Sequence, residues 1–201
     1  EQSVLGQRIS SVQINRYDLR VPVAEDFGQQ VAGQNIDRLH RRGKYIILDF
    51  GDDLSGVLHL GMSGRVRIFD TASAYVARPH DHLIFHLDNG ACFAFEDPRR
   101  FGMFLLRSRE GWAQEPPFSK MGAEPLEDVW DGQNLFEALS RKKTPIKAAL
   151  LDQRVVAGLG NIYVCEASFC AGVSPTRICS SITLEEALRI VSCSKKILLR
   201  A

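Results

Sequence analysis

The sequence contains no stretch approaching the roughly 18–20 apolar residues that a membrane-spanning helix needs, which excludes a helical membrane protein. The opening residues, Glu1-Gln2-Ser3-Val4-Leu5-Gly6, carry no basic region followed by an apolar run, so no signal peptide is visible, and position 1 is not Met. Cys92, Cys165, Cys170, Cys179 and Cys193 include no C-x-x-C pair. Their odd number and their spacing predict reduced thiols filling core positions, not zinc ligands or a disulfide framework, and a cytoplasmic protein. An excess of one charge is also lacking: 25 Lys and Arg against 24 Asp and Glu leave +1, which argues against a uniformly basic nucleic-acid binder. No internal repeat or low-complexity tract interrupts the 201 residues, and 45% apolar content excludes intrinsic disorder.

What is present divides into two dissimilar halves. Up to about residue 107 short apolar runs alternate with turns. Tyr45–Phe50, Gly56–Leu60 and Arg65–Phe69 read as strands, the last alternating polar and apolar side chains as a strand with one wet face does. Leu83–Leu87 and Ala91–Phe95 flank Asp88-Asn89-Gly90, where Asn-Gly supplies the positive φ angles of a tight hairpin. Several strands at this spacing predict an antiparallel sandwich or barrel. From Gly111 to Asp131 the chain carries Pro116, Pro117 and Pro125 with little periodicity and reads as a linker. Helical patterns follow over 134–143, 144–152, 161–171 and 183–200. Thr144-Pro145 offers a capping hydroxyl and a proline at the first helical position, and Thr183 is followed by Glu185 and Glu186 in a first turn that favours acids. The expected fold is therefore α+β: a β-sandwich over 1–110, a linker over 111–131 and a helical domain over 132–201.

The charge divides in the same place. Residues 1–140 hold 15 basic and 20 acidic groups, whereas 141–201 hold 10 and 4, so the near-neutral total conceals a basic helical half. Basic clusters at 38–44 and at Arg141-Lys142-Lys143 could make a phosphate footprint, although a charge run is usually a solvated face.

The most particular segment is Asp152-Gln153-Arg154-Val155-Val156-Ala157-Gly158-Leu159-Gly160-Asn161-Ile162-Tyr163. One helix ends, two glycines permit tight turns, and a second helix opens at Asn161, where backbone N–H groups can seat a phosphate. Leu151 through Tyr163 resemble the helix–two-turn–helix element of the formamidopyrimidine-DNA glycosylase family. Three more segments are similar to that family in the same order: Arg41-Arg42-Gly43-Lys44-Tyr45, a basic turn before a strand; His59-Leu60-Gly61-Met62-Ser63-Gly64, a loop bearing an intercalating methionine; and Asp97-Pro98-Arg99-Arg100-Phe101-Gly102, an arginine–phenylalanine wedge loop. The methionine and Arg-Arg-Phe loops favour the oxidised-purine branch over the related endonuclease VIII branch.

The resemblance implies a base-excision-repair DNA glycosylase with AP-lyase activity, acting as a monomer on 8-oxoguanine and formamidopyrimidines in duplex DNA. Flipping a base out of a duplex costs a few kcal/mol and leaves a gap that apolar or Arg wedges can fill. By resemblance Met62 fills the gap, Phe101 unstacks the neighbouring base, Arg99 pairs with the orphaned cytosine, with Arg100 beside it, and Lys44 does proton-transfer work at the damaged nucleotide. Singly, Met62 could be core, Phe101 a loop anchor, Arg99 a surface ion pair and Lys44 a solvated lysine. His59, Lys142, Lys147, Arg154 and Asn161 are expected on phosphates, which position without specifying. His80, in His80-Asp81-His82 with His86 beyond, is expected on DNA; the alternative is a metal site, although the spacing fits no strong zinc pattern. The family's nucleophile is an N-terminal proline amine next to a glutamate, and its zinc sits on a four-cysteine finger at the C-terminus. This chain begins Glu1-Gln2-Ser3 and stops at Ala201, so both are expected outside it and the chain alone is expected to be inactive; Glu1 is not that glutamate. A second reading is a non-catalytic lesion binder on the same scaffold; a third, an RNA binder, is opposed by the β-half.

Overall fold

The computed structural model describes residues 3–200; Glu1, and with it any role for that carboxylate, lies outside the described residues, as does Ala201. The chain forms two compact units, Glu1–Glu115 and Pro116–Ala201.

The first unit is a pair of four-stranded antiparallel sheets. Strands β1 (Ile9–Ile14), β6 (Asp81–Leu87), β7 (Cys92–Glu96) and β5 (Arg65–Phe69) form one sheet in the order β1-β6-β7-β5. Strands β2 (Ile36–Arg42), β3 (Tyr45–Phe50), β4 (Leu54–His59) and β8 (Met103–Ser108) form the other in the order β2-β3-β4-β8. Their inner faces share one core, in which Phe27 of the short helix α1 (Phe27–Val31) meets Phe85 and Phe104 edge-on, while Phe85 stacks on Phe93 with centroids 4.4 Å apart. Stacked and edge-on aromatic pairs stabilise by about 0.5–1.5 kcal/mol beyond their buried area.

The second unit packs α2 (Gly132–Leu139), α3 (Ile146–Leu151), α4 (Asn161–Cys170) and α5 (Leu184–Leu198) around Leu135, Ile146, Leu150, Leu159, Val164 and Ile190. In α5 the buried positions Ala187, Ile190, Val191 and Ser194 follow the i, i+3, i+4, i+7 spacing of one helix face. Thr183 closes a capping box: its side chain accepts from the Glu186 N–H at 3.2 Å, and the Glu186 carboxylate accepts from the Thr183 N–H at 2.9 Å.

Several local expectations are corrected. The Asp88-Asn89-Gly90 hairpin uses one positive φ, 83° at Gly90, not two. The Gly90 N–H donates to the Leu87 carbonyl and the Asn89 side chain accepts from the Ala91 N–H, so the turn needs only one left-handed residue. Pro145 stands at the N-cap of α3, one position before the expected one, and the Thr144 hydroxyl lies 3.8 Å from Cys179 Sγ instead of capping. Much of the expected linker is part of the second unit. Gly122 N–H donates to the Gln153 carbonyl, the Ala123 carbonyl accepts from Ala157 N–H, and Trp130 is buried in the core. Not all cysteines are reduced thiols: Cys170 at the end of α4 and Cys193 in α5 form a disulfide, their Cα atoms 5.9 Å apart. Helix packing brings together two residues separated by 23 in sequence, a proximity that spacing rules for disulfide frameworks do not register. Cys92 and Cys179 are buried free thiols, as expected of core filler.

Candidate nucleic-acid interface

The first unit places several of its candidate residues on turns at one end of the strands of the β2-β3-β4-β8 sheet. Arg42 and Tyr45 pair across a two-residue turn, Gly43-Lys44, in which Gly43 has φ 56°. Tyr45 in turn pairs with His59, and His59 with Met103 on β8. Lys44 is exposed at the tip, and loss of water around its stem pushes the ammonium below the ordinary lysine range. The His59 ring packs on Tyr45, centroids 4.9 Å apart, and its Nδ1 accepts from the Gly61 N–H at 3.0 Å. Burial, then the charges of Arg20 and Lys44, lower its pKa, and because Nδ1 accepts from the Gly61 N–H, Nε2 is the ring nitrogen left to donate.

Gly61, at φ 66°, follows from a close approach of two backbones. A Cβ there would stand 2.6 Å from Gly102 N and from Phe101 C. The loop of Met62 and the loop of Arg99–Phe101 therefore lie against each other, and no other residue fits between them. Met62 is 74% exposed, so the core reading of this methionine is excluded, and Phe101 is 45% exposed. The Arg99 guanidinium lies over the Phe101 ring, 4.6 Å from its centroid, and has no carboxylate partner among the described residues. Arg100 is placed differently. It adopts φ 57° and turns its guanidinium to Asp18 at 2.6 Å. Hydrogen bonds from Arg16, with the Arg100 charge adding to them, hold the Asp18 carboxyl down to about 2.

His80 is exposed beside these loops, and its carbonyl accepts from the Asp97 N–H at 3.0 Å. Its sequence neighbours point elsewhere. Asp81 is buried, accepting from Arg67 at 2.6 Å, the Tyr75 hydroxyl at 2.9 Å and the Arg78 N–H at 2.9 Å, while His82 Nε2 meets the Asp97 carbonyl at 2.8 Å. The three side chains do not converge, and no group of three His, Cys, Asp or Glu among the described residues could hold a metal.

In the second unit the side-chain amide of Gln153 ties the connection between α3 and α4 at three points. The Gln153 side chain accepts from the Gly158 N–H at 2.8 Å and donates to the Leu151 and Leu159 carbonyls at 3.1 Å each. Gly158 has φ 79°, and Asn161 opens α4, exposed, after Gly160 at the cap. Arg154 is exposed but paired with Asp152, Nε to Oδ1 at 2.9 Å and a terminal nitrogen to Oδ2 at 2.8 Å. The Arg154 hydrogen bond chiefly, and the Lys142 charge least, lower the Asp152 pKa. Lys147 is half-buried on α3, its N–H bonded to the Pro175 carbonyl.

Sequence reasoning missed the residues that hold these loops: Ser63 and Asp97 in the first unit, Gln153 and Asp152 in the second. A signal existed for two of them. Asp97 precedes Pro98 and Asp152 precedes a turn, and both carboxylates accept from the N–H two residues on, the Asx turn typical of such positions.

Comparison with known proteins gives matches to both units. Residues 1–104 match the family model described as the formamidopyrimidine-DNA glycosylase N-terminal domain, and residues 121–201 match that of its H2TH domain. The formamidopyrimidine-DNA glycosylase of Cereibacter sphaeroides is 41% identical over 207 residues, covering 100% of this chain and 73% of the relative. That of Rhodospirillum rubrum is 41% identical over 196 residues, covering 98% and 70%. The Lactococcus lactis Fpg in complex with abasic-site DNA superposes with a TM-score of 0.91 at 30% identity, covering all of this chain and 73% of that one. The Lactococcus lactis complex with Fapy-dG DNA also gives 0.91, covering 75% of that chain. With both units matched in order and the loops built as described, the chain belongs to the formamidopyrimidine-DNA glycosylase family.

Proposed function

We propose that this chain supplies the lesion-recognition surface of a base-excision-repair DNA glycosylase with AP-lyase activity, acting on oxidised purines in duplex DNA. The observation that carries the reading is Met62: a large apolar side chain, 74% exposed on a turn that a glycine locks against the neighbouring backbone. Exposed apolar side chains on rigid turns are suited to enter a base stack, because the cost of ordering them is met before binding. Phe101 and Arg99, stacked on one another, supply a second wedge and a hydrogen-bonding fork for the base left unpaired. Lys44 and the Nε2–H of His59 would meet the phosphates or sugar of the everted nucleotide, and the lowered pKa of Lys44 suits it to exchange a proton there. Lys142, Lys147 and Asn161 of the second unit provide phosphate contacts. Arg100 and Arg154 would have to leave Asp18 and Asp152 to join them.

None of the described residues is assigned the family's amine nucleophile or its zinc. The cysteines present do not fit a zinc site, since Cys170 and Cys193 are disulfide-bonded and no metal-ligand group forms among the described residues. A monomeric, cytoplasmic protein is part of the same reading.

The test is a labelled 8-oxoguanine:cytosine duplex incubated with the protein carrying its family-type ends, with borohydride to trap the Schiff base. Excision and a covalent adduct are expected; neither one appearing would refute the enzymatic reading in favour of a lesion binder. Arg99→Ala should relax discrimination of the base opposite the lesion, whereas Lys142→Ala should weaken all duplexes alike. Equal effects on all opposite bases would remove Arg99 from its role.

A further inference from the structure

The exposed loops of the first unit are tied together from beneath by one carboxylate. Asp97 is fully buried. Its Oδ1 accepts from the Ser63 hydroxyl at 2.6 Å and the Arg99 N–H at 3.3 Å, and its Oδ2 accepts from the Gly102 N–H at 2.7 Å. The Ser63 oxygen also accepts from the Arg99 N–H at 3.3 Å. The Asp97 main chain bonds the His80 carbonyl on one side and His82 Nε2 on the other. A buried carboxylate is tolerated only when such donors surround it. Here the donors are the backbone of the Arg99–Phe101 loop and the hydroxyl next to Met62. The backbone beneath leaves no slack: a Cβ on Gly102 would stand 2.7 Å from the Phe95 ring and 2.8 Å from the His59 carbonyl.

We propose that Ser63 and Asp97 are positioning residues that lock the Met62 loop to the Arg99–Phe101 loop, so that the gap-filling side chain and the side chains facing the opposite base enter the duplex as one body. The proposal rests on the DNA reading above and assigns neither residue a contact with the substrate. If the loops moved independently, each would have to be ordered at insertion, and placing one would not help the other. Joined by the Ser63–Asp97 hydrogen bond, they present both wedges at a fixed separation, and loss of that bond should affect recognition only while both wedges are present.

The experiment is a double-mutant cycle on the protein carrying its family-type ends, reading affinity for duplexes with a tetrahydrofuran abasic analogue opposite cytosine or adenine. Ser63→Ala should weaken the cytosine duplex about five- to tenfold, the effect of one hydrogen bond, and reduce its preference over the adenine duplex. Ser63→Thr, which keeps the hydroxyl, should retain parental affinity. In an Arg99→Ala background Ser63→Ala should cost less than twofold, the non-additivity expected of residues that act together. Asp97→Asn, which keeps the volume but cannot accept from both sides, should behave as Ser63→Ala does, with an unchanged circular dichroism spectrum. Equal losses from Ser63→Ala in both backgrounds, or an unchanged preference between the opposite bases, would overturn the proposal. A parent protein with no preference for the abasic duplex over an intact one would instead refute the underlying function.

Discussion

Replacing Gly61 by alanine should damage this protein far more than the same change at Gly90, although both glycines have left-handed backbones, φ 66° and 83°. Forcing an alanine into that conformation costs about 1–2 kcal/mol at either position. At Gly90 nothing lies within 4 Å of the new Cβ, so the cost ends there. At Gly61 the new methyl would stand 2.6 Å from Gly102 N and Phe101 C, and 2.8 Å from Phe101 O. These are backbone atoms that cannot rotate away, so overpacking adds about 1–3 kcal/mol. The expected totals are about 2–5 kcal/mol for Gly61→Ala and about 1–2 for Gly90→Ala. For a unit of this size each kcal/mol lowers the melting temperature by about 4 °C, so calorimetry should separate the two variants by several degrees. Hydrogen exchange would assign the affected transition to the first unit. Because Gly61 also sets the Met62 loop, affinity for abasic duplex should fall with Gly61→Ala and stay parental with Gly90→Ala. Equal melting shifts for the two variants would refute the reasoning.

Other consequences follow from single features. Thr183→Ala removes the capping box of α5 and should destabilise the second unit by about 1 kcal/mol in urea unfolding, with Thr183→Ser restoring most of it; no difference between the two would show that the cap is unimportant. Burial, then the hydrogen bond to Asp81, pushes the Tyr75 phenol up to about 12, which favours the neutral phenol in the fold. Its contribution to stability is complete below the unfolded value near 10 and is lost as the pH rises through about 12. Phenolate absorbance should therefore show a late-titrating tyrosine that Tyr75→Phe removes; identical titrations would contradict the assignment. The Cys170–Cys193 disulfide predicts three reactive thiols of five in the denatured protein without reductant. Reduction should destabilise the second unit by about 3.4 kcal/mol from loop entropy, and five thiols before reduction would refute the bridge.

Sequence alone carried the local features. Strands β3 and β5 fall where the apolar runs predicted them, but the alternation in β5 did not report burial: Ile68 is 45% exposed, whereas Arg67 is drawn inward by Asp81 and Glu96. The capping residue of α5 was legible because Thr183 and Glu186 are three apart and bond each other. Strand β2 was not, because Ile36–Arg42 is rich in charge and owes its strand form to pairing with β3. The collinear motifs likewise named the candidate residues, including Met62, Arg99 and Phe101, since their identities and order are properties of the chain.

What only the tertiary structure decided is which of these side chains are available and what holds them. Met62 is exposed because Gly61 lies against Gly102, 41 residues away in sequence. Arg100 is held by Asp18 and Arg154 by Asp152, so arginines that look alike in sequence differ in freedom. Cys170 and Cys193 meet because two helices pack together. Asp97 reads in sequence as a turn residue and proves to be a buried carboxylate joining Ser63, Arg99 and Gly102. The physical reason is the same in each case. Periodicity and turn chemistry are set by neighbours a few residues apart, whereas exposure, charge pairing and loop coupling depend on groups that only the folded chain brings within hydrogen-bond distance.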